Sequence, residues 1–299
     1  MSGDHHHRVG SGGQRELFLA LCLTITMTVI ELTVGWMSRS LSLLADGGHM
    51  LTDASALALG LFASWIATRP ATPEKTYGYY RTEILAALIN GVALWLLVIF
   101  IYIQAFRRLS SPTDVDSVPM LATACLGLVV NLFSSRLLLG AKCQTLNIQA
   151  ARVHVVSDAL GSLGVLVAGA LVHWKGWTIA DPIASIFIGI LIAISSWDLV
   201  RRSVNVLLEG TPAHLNLGQI SEAVCGVPGV RDVHDLHCWT ISTGLDALSG
   251  HIVVDNLSES AAILAAINRV LEDRFRVTHT TIQLESSARP CHLAAPHHH

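Results

Sequence analysis

His49-Met-Leu-Thr-Asp53 and His154-Val-Val-Ser-Asp158 share one design, a histidine followed four positions later by an aspartate, and each lies inside an apolar stretch. On a helix, positions four apart share a face, one turn above the other, so each string presents an imidazole beside a carboxylate. Around both strings the apolar runs are long enough to span a bilayer. An ionisable side chain at that depth costs roughly 2.5 to 3.5 kcal/mol on insertion scales, and such residues mark ion paths or proton relays. Together the strings make a four-ligand set.

Composition supports the membrane reading: 52% of the 299 residues are hydrophobic and 14% are charged, with a mean hydropathy of +0.52. That is too apolar for an ordinary soluble domain of this size and predicts a polytopic membrane protein. Six runs, at roughly 16–36, 42–66, 82–106, 117–139, 151–174 and 182–202, can each cross about 30 Å of hydrocarbon. With both termini cytoplasmic, ten Lys and Arg residues fall on the inside and only Arg39, Arg107, Arg108 and Lys175 outside. The positive-inside rule favours that orientation. Met1 to Gln14 has no small-residue cleavage pattern after it, so the first run is expected to stay as a membrane helix. A net charge of -3 leaves no basic excess for gripping nucleic acid. Six scattered cysteines without a CxxC pair are expected to be reduced fillers.

After Leu208 the sequence turns mixed and polar. The expected organisation is a disordered His-containing terminus over 1–14, a six-helix transmembrane domain over 15–208, a small cytoplasmic domain over 209–287, and a disordered tail over 288–299. In fold class this is an all-α membrane domain joined to a small α+β domain of order αββαβ. Periodicity places helices at Asn216–Cys225 and Ser258–Phe275, and strands at Val230–Ile241, Leu245–Asp255 and Thr278–Glu285. His5–His7 and His297–His299 are short tracts that either pre-concentrate metal or carry no role.

Tetrahedral zinc takes imidazole nitrogen and carboxylate oxygen readily, and two helices each supplying an i, i+4 pair can close four ligands around one ion. Two aspartates with two neutral histidines carry a charge of -2. One divalent cation cancels it, and so do two protons on the histidines, which is the condition for exchanging metal against protons in a low-dielectric interior. Histidine, titrating near 6.5 when unperturbed, suits the exchange. Cadmium and cobalt fit the same ligands. Gly47 and Gly48 before His49, with Gly161 and Gly164 after Asp158, predict close contact of the second and fifth helices. Asp46, on the same face as His49 and Asp53, is either part of the approach path or an interfacial carboxylate. Glu31, Asn90, Asn131 and Asp181 are further polar residues in or near spans. No HExxH or clustered HxxH string occurs in the spans, which argues against a membrane metalloenzyme.

Five ordered strings resemble the cation diffusion facilitators, and within them the bacterial branch exporting zinc, cadmium and cobalt. They are Ser42-Leu-Leu-Ala-Asp46 running into His49-Met-Leu-Thr-Asp53, Tyr77-Gly-Tyr-Tyr-Arg-Thr-Glu83, the string from His154 to Gly164, Asn205-Val-Leu-Leu-Glu-Gly210, and Val233-His-Asp-Leu-His237. The resemblance spans about residues 14 to 287. It implies a homodimeric, proton-coupled exporter, not an enzyme, with a metallochaperone-like cytoplasmic domain in a regulatory and dimerisation role. It also carries the transport-site role onto His49, Asp53, His154 and Asp158. The metal site that some relatives hold after the second helix is expected to be missing, because Thr68–Tyr80 has no His or Asp. Arg81 and Glu209 match a basic and an acidic position that pair in such relatives, a pair that would couple the two domains. In the cytoplasmic domain, residues three apart on a regular strand face opposite ways, so His234 and His237 should not share a metal. His279, Gln283 and Glu285 share a face of the last strand. The resemblance favours His234, His251 and Glu285 as a cytoplasmic metal site, with His279 as a further candidate.

Overall fold

A computed structural model describes residues 14–139, 146–242 and 244–286, without the side chains of 14–18, 20, 21, 57, 64, 137–139 and 146–157. The expectations for both terminal segments and their histidine tracts lie outside the described residues, as do Cys143 and Cys291. Six long helices come first: α1 (Gln14–Ser38), α2 (Leu41–Ala67), α3 (Thr82–Ser110), α4 (Ser117–Leu139), α5 (Leu146–Lys175) and α6 (Ala180–Leu207). Among the described residues, α2, α3, α4 and α6 are long and apolar enough to cross a membrane. The described apolar stretch of α1 runs from Cys22 to Ser38, and α5 is 30 residues long. Then follow α7 (Leu217–Cys225), β1 (Val230–Ser242), β2 (Leu245–Val254), α8 (Ser260–Phe275) and β3 (His279–Ser286).

The chain packs as two compact units, one built from residues up to Ala58 with Ile89–Asp198, the other from Leu59–Leu88 with residues from Leu199 onward. In the first unit the core combines small residues, Ala45, Ala124, Ala168 and Ala184, with Leu43, Leu94, Val98, Ile101, Val165 and Ile188. Small side chains let helices approach closely where lipid provides no hydrophobic drive between them. Large apolar residues such as Leu96, Phe133 and Ile194 are exposed instead. That inversion suits a hydrocarbon surround.

A buried carboxylate organises one end of this unit. Helix α1 ends as Arg39 takes a left-handed conformation at φ 56°, with the Ser40 N–H donating to the Gly35 carbonyl at 3.0 Å. Helix α2 starts two residues later. Asp181, at the start of α6 and 0% exposed, accepts hydrogen bonds from the Ser40 and Ser42 hydroxyls, both at 2.7 Å, and from the N–H groups of Leu41 at 2.8 Å and Ser42 at 3.1 Å. Arg108, from the last turn of α3, reaches the same carboxylate at 3.3 Å. A negative charge at a helix N-terminus satisfies donors that have no intrahelical partner and suits the dipole.

The second unit's sheet has the order β1-β2-β3, with β1 antiparallel to β2 and β2 parallel to β3. Alternation along β2 sends Leu248, Ile252 and Val254 into a core shared with Ile220 and Val224 of α7 and Ile263, Ile267 and Leu271 of α8. Ser249, His251 and Val253 therefore face away from the helices. Asn216 caps α7 through its side chain, which accepts from the Gln219 N–H. Cys238 is buried on β1, and burial, aided by the charge of Asp246, pushes its thiol up to about 11. It stays a protonated filler.

Replacing Asp181 should strand several buried donors and the Arg108 charge. Asp181→Ala is expected to lower stability by about 3 to 5 kcal/mol, with Asp181→Asn intermediate. Thermal unfolding of the detergent-solubilised full chain measures it.

Candidate metal centres

The cap at Ser40 and Asp181 sets where α2 begins, and from there Asp46, His49 and Asp53 follow at spacings of three and four along one helix face. His49 Nε2 lies 3.4 Å from Asp53 Oδ2, with side-chain exposures of 15% and 23%. Asp158 on α5 is buried. It lines, with Asp46, His49 and apolar residues including Ile188 and Leu191, a cavity of about 240 Å³. His154 lies on α5 one turn from Asp158, but its side chain is outside those described.

Of the four glycines singled out, Gly161 alone makes the expected contact between α2 and α5. A Cβ there would fall 2.6 Å from Asp46 Oδ1. Gly47 instead faces Glu31 and Leu32 of α1, Gly48 faces Leu97 of α3, and Gly164 faces Phe187 of α6. Asp46 is 2% exposed and accepts from the Ser162 hydroxyl at 3.3 Å. It also lines the cavity of His49 and Asp158. The cavity brings a nitrogen donor and carboxylate oxygens together, a donor set suited to a four-coordinate transition-metal ion.

A second group of ligand-type residues sits on the helix-free face of the sheet. His234 of β1 pairs directly with His251 of β2, their ring centroids 5.4 Å apart. Glu285 of β3, 4% exposed, lies 2.6 Å from His251 Nδ1 and 3.7 Å from His234 Nε2. One ligand atom from each of the three falls within 4.8 Å of the others. Gln283 donates to Glu285 at 3.1 Å and helps to hold it.

His279 shares the strand face of Glu285, but six residues along a strand amount to about 20 Å. Its ring instead meets Tyr77 edge-on, with centroids 5.8 Å apart. The structure does not bring it to the three-residue group. His237 also stands apart, though not because β1 is regular: the strand is irregular between His234 and His237, and Asp235 takes φ 51°. That kink sends Asp235 between two histidines, 3.0 Å from His237 Nε2 and 3.9 Å from His251 Nε2. Sequence reasoning had no place for Asp235, because strand parity assumes no bulge.

Arg81 and Glu209 pair at 3.0 Å with side-chain exposures of 39% and 61%. Both belong to the second unit. Glu209 is itself left-handed at φ 58°, just past α6.

Comparison with known proteins gives two family-model matches, "Cation efflux transmembrane domain" over residues 17–208 and "Cation efflux protein, cytoplasmic domain" over residues 212–287. The chain is 39% identical over 295 residues to the metal cation efflux system protein CzcD of Cupriavidus metallidurans, covering 98% of this chain and 93% of that one. It is 40% identical over 289 residues to a cadmium, cobalt and zinc/H(+)-K(+) antiporter of Bacillus subtilis, covering 95% and 92%. It is 38% identical over 288 residues to the zinc transporter ZitB of Escherichia coli, covering 96% and 91%.

The exposure of Arg81 and Glu209 limits what their pairing contributes to folding. Glu209→Ala is expected to change stability by less than about 1 kcal/mol. The melting temperature of the full chain checks it.

Proposed function

We propose, from the premise that this chain belongs to the cation efflux family, that it exports zinc from the cytoplasm in exchange for protons through a site on α2 and α5. Membership makes it a multi-pass membrane transporter of metal cations rather than an enzyme. Zinc as the main cargo, with cadmium and cobalt as further ones, is our reading, as is proton exchange. So are a homodimeric state and an inner-membrane location with both termini cytoplasmic.

One observation carries the site: Asp46, His49 and Asp158 line one cavity, and Asp53 stands against His49 on the same helix. His154 completes the set by its place on α5, one helical turn before Asp158. In the loaded state the cargo ion takes imidazole nitrogens from His49 and His154 and carboxylate oxygens from Asp53 and Asp158. Its two positive charges cancel the two aspartates. As the ion leaves, a proton on each histidine restores neutrality, so the unloaded and uncompensated site is the high-energy state on both routes. The matched relatives agree in direction, being named as efflux proteins and antiporters.

The cytoplasmic group of His234, His251 and Glu285 is read as a regulatory metal site. Two imidazoles and a carboxylate within 4.8 Å leave room for one more donor in a tetrahedral shell. Asp235, 3.9 Å from His251, is the nearest described carboxylate outside the three.

Two measurements test these assignments. In inverted vesicles offered zinc, cadmium and cobalt in turn, Asp53→Ala and Asp158→Ala should each cut uptake by at least about 100-fold, since even outer-shell partners of a metal are worth 10- to 100-fold. Proton-linked zinc uptake retained in both variants would remove the site from α2 and α5. For the cytoplasmic group, His251→Ala should abolish one equivalent of tight zinc binding by the purified chain while leaving the α2 and α5 equivalent in place. An unchanged binding stoichiometry would remove His251 from the list.

A further inference from the structure

Beside the cavity lies a second set of buried polar groups that the four metal ligands do not use. Glu31 of α1 is 1% exposed, and its Oε2 is buried with no hydrogen-bond partner. Among the described residues, neither it nor Asp46 forms an ion pair with a Lys, Arg or His. Glycines on two neighbouring helices make the room these carboxylates occupy. A Cβ on Gly127 of α4 would fall 2.9 Å from Glu31 Oε1 and 3.2 Å from the Ser162 hydroxyl, and one on Gly161 of α5 would fall 2.6 Å from Asp46 Oδ1. Ser162 links the set, donating to Asp46 at 3.3 Å and accepting from Asn131 at 3.3 Å. Four helices thus converge on two carboxylates, a hydroxyl and an amide.

Resting on the exchange reading above, we infer that Glu31 and Asp46 form an additional station for the counter-ion, a small hard monovalent cation, which it occupies on its way to or from the His/Asp set where it alternates with the transition metal. Three features carry this. The donors are all oxygen, which suits a proton or an alkali-metal ion and discriminates poorly in favour of zinc, whereas the imidazole-containing set does the reverse. Charge favours it as well: one divalent ion or two histidine protons cancel only Asp53 and Asp158, so Glu31 and Asp46 carry a further charge of -2 when ionised, which takes one monovalent cation on each to cancel in a low-dielectric setting. Position then gives a route. Glu31 is two turns from the end of α1 and Asp46 is in the second turn of α2, so the pair lies between the α1–α2 connection and His49. Asp46 borders both sets, facing Ser162 on one side and the cavity of His49 and Asp158 on the other. Among the described residues, the ionisable groups facing the station are His49 from α2 and Asp158 from α5, with Asn131 of α4 and Ile188 of α6 uncharged.

The test uses the full chain, with Glu31→Gln as an isosteric change that removes the charge and leaves the fold's volumes intact. Purified protein is assayed for equilibrium zinc binding and, in proteoliposomes, for zinc flux driven by a pH gradient at equal potassium or by a potassium gradient at equal pH. Zinc affinity should stay within about threefold of wild type while gradient-driven flux falls about tenfold or more, the pattern of a group used in the transport step and not in cargo binding. Glu31→Asp should restore part of the gradient response. The arm in which the wild type responds identifies the counter-ion as proton or alkali metal. Wild-type gradient dependence in Glu31→Gln overturns the station, and so does loss of zinc binding in that variant, which would make Glu31 part of the metal site or its support. A wild type indifferent to both gradients overturns the exchange reading as well, and is thereby told apart from failure of the station alone.

Discussion

One buried carboxylate fixes the geometry on which the first unit depends. Asp181 has no contact with water and is held by two hydroxyls, two N–H groups and Arg108. Those donors come from the chain between α1 and α2, from the first turn of α2 and from the last turn of α3, so a single side chain ties the ends of four helices. A buried charge keeps its place only if its lone pairs are satisfied. This arrangement sets both the start and the rotation of α2, and rotation decides whether Asp46, His49 and Asp53 face the cavity or lipid.

Charge in a low-dielectric interior then governs the rest of that unit. The cavity concentrates carboxylates near one imidazole, with apolar side chains of α6 on the opposite side. Such a cluster of carboxylates in a low-dielectric setting favours compensating positive charge. The helices approach closely where the carboxylates sit, because glycines stand opposite them and any larger residue would displace an oxygen. Packing and electrostatics are one constraint here.

In the second unit the ligand group comes from register. The antiparallel pairing of β1 with β2 sets His234 opposite His251, and the parallel pairing of β2 with β3 sets Val253 opposite Glu285, so three strands deliver three donors to one patch. Helices α7 and α8 occupy the other face with Ile220, Val224, Ile263, Ile267 and Leu271. The polar face is thereby left open. The kink at Asp235 adds a carboxylate to its edge.

Much of this was legible in the residues alone. Apolar run length placed the six long helices, and helix and strand periods the αββαβ order, to within a few residues, because both are read from side chains that are neighbours along the chain. The two HxxxD strings placed an imidazole and a carboxylate on one helix face, since i and i+4 share a face whatever surrounds the helix. Other features were matters of tertiary structure. Which neighbour each glycine meets depends on helix rotation, so only Gly161 of the four joined α2 to α5. His279 could be given the strand face of Glu285 but not its distance from the partners across the sheet, and Asp235 required a bulge that alternation does not announce. The role of Asp181 was equally hidden, because its partners lie about 140 residues away. Local periodicity is a property of neighbours along the chain, whereas a cap, a cavity and a ligand group are made by residues that only folding brings together.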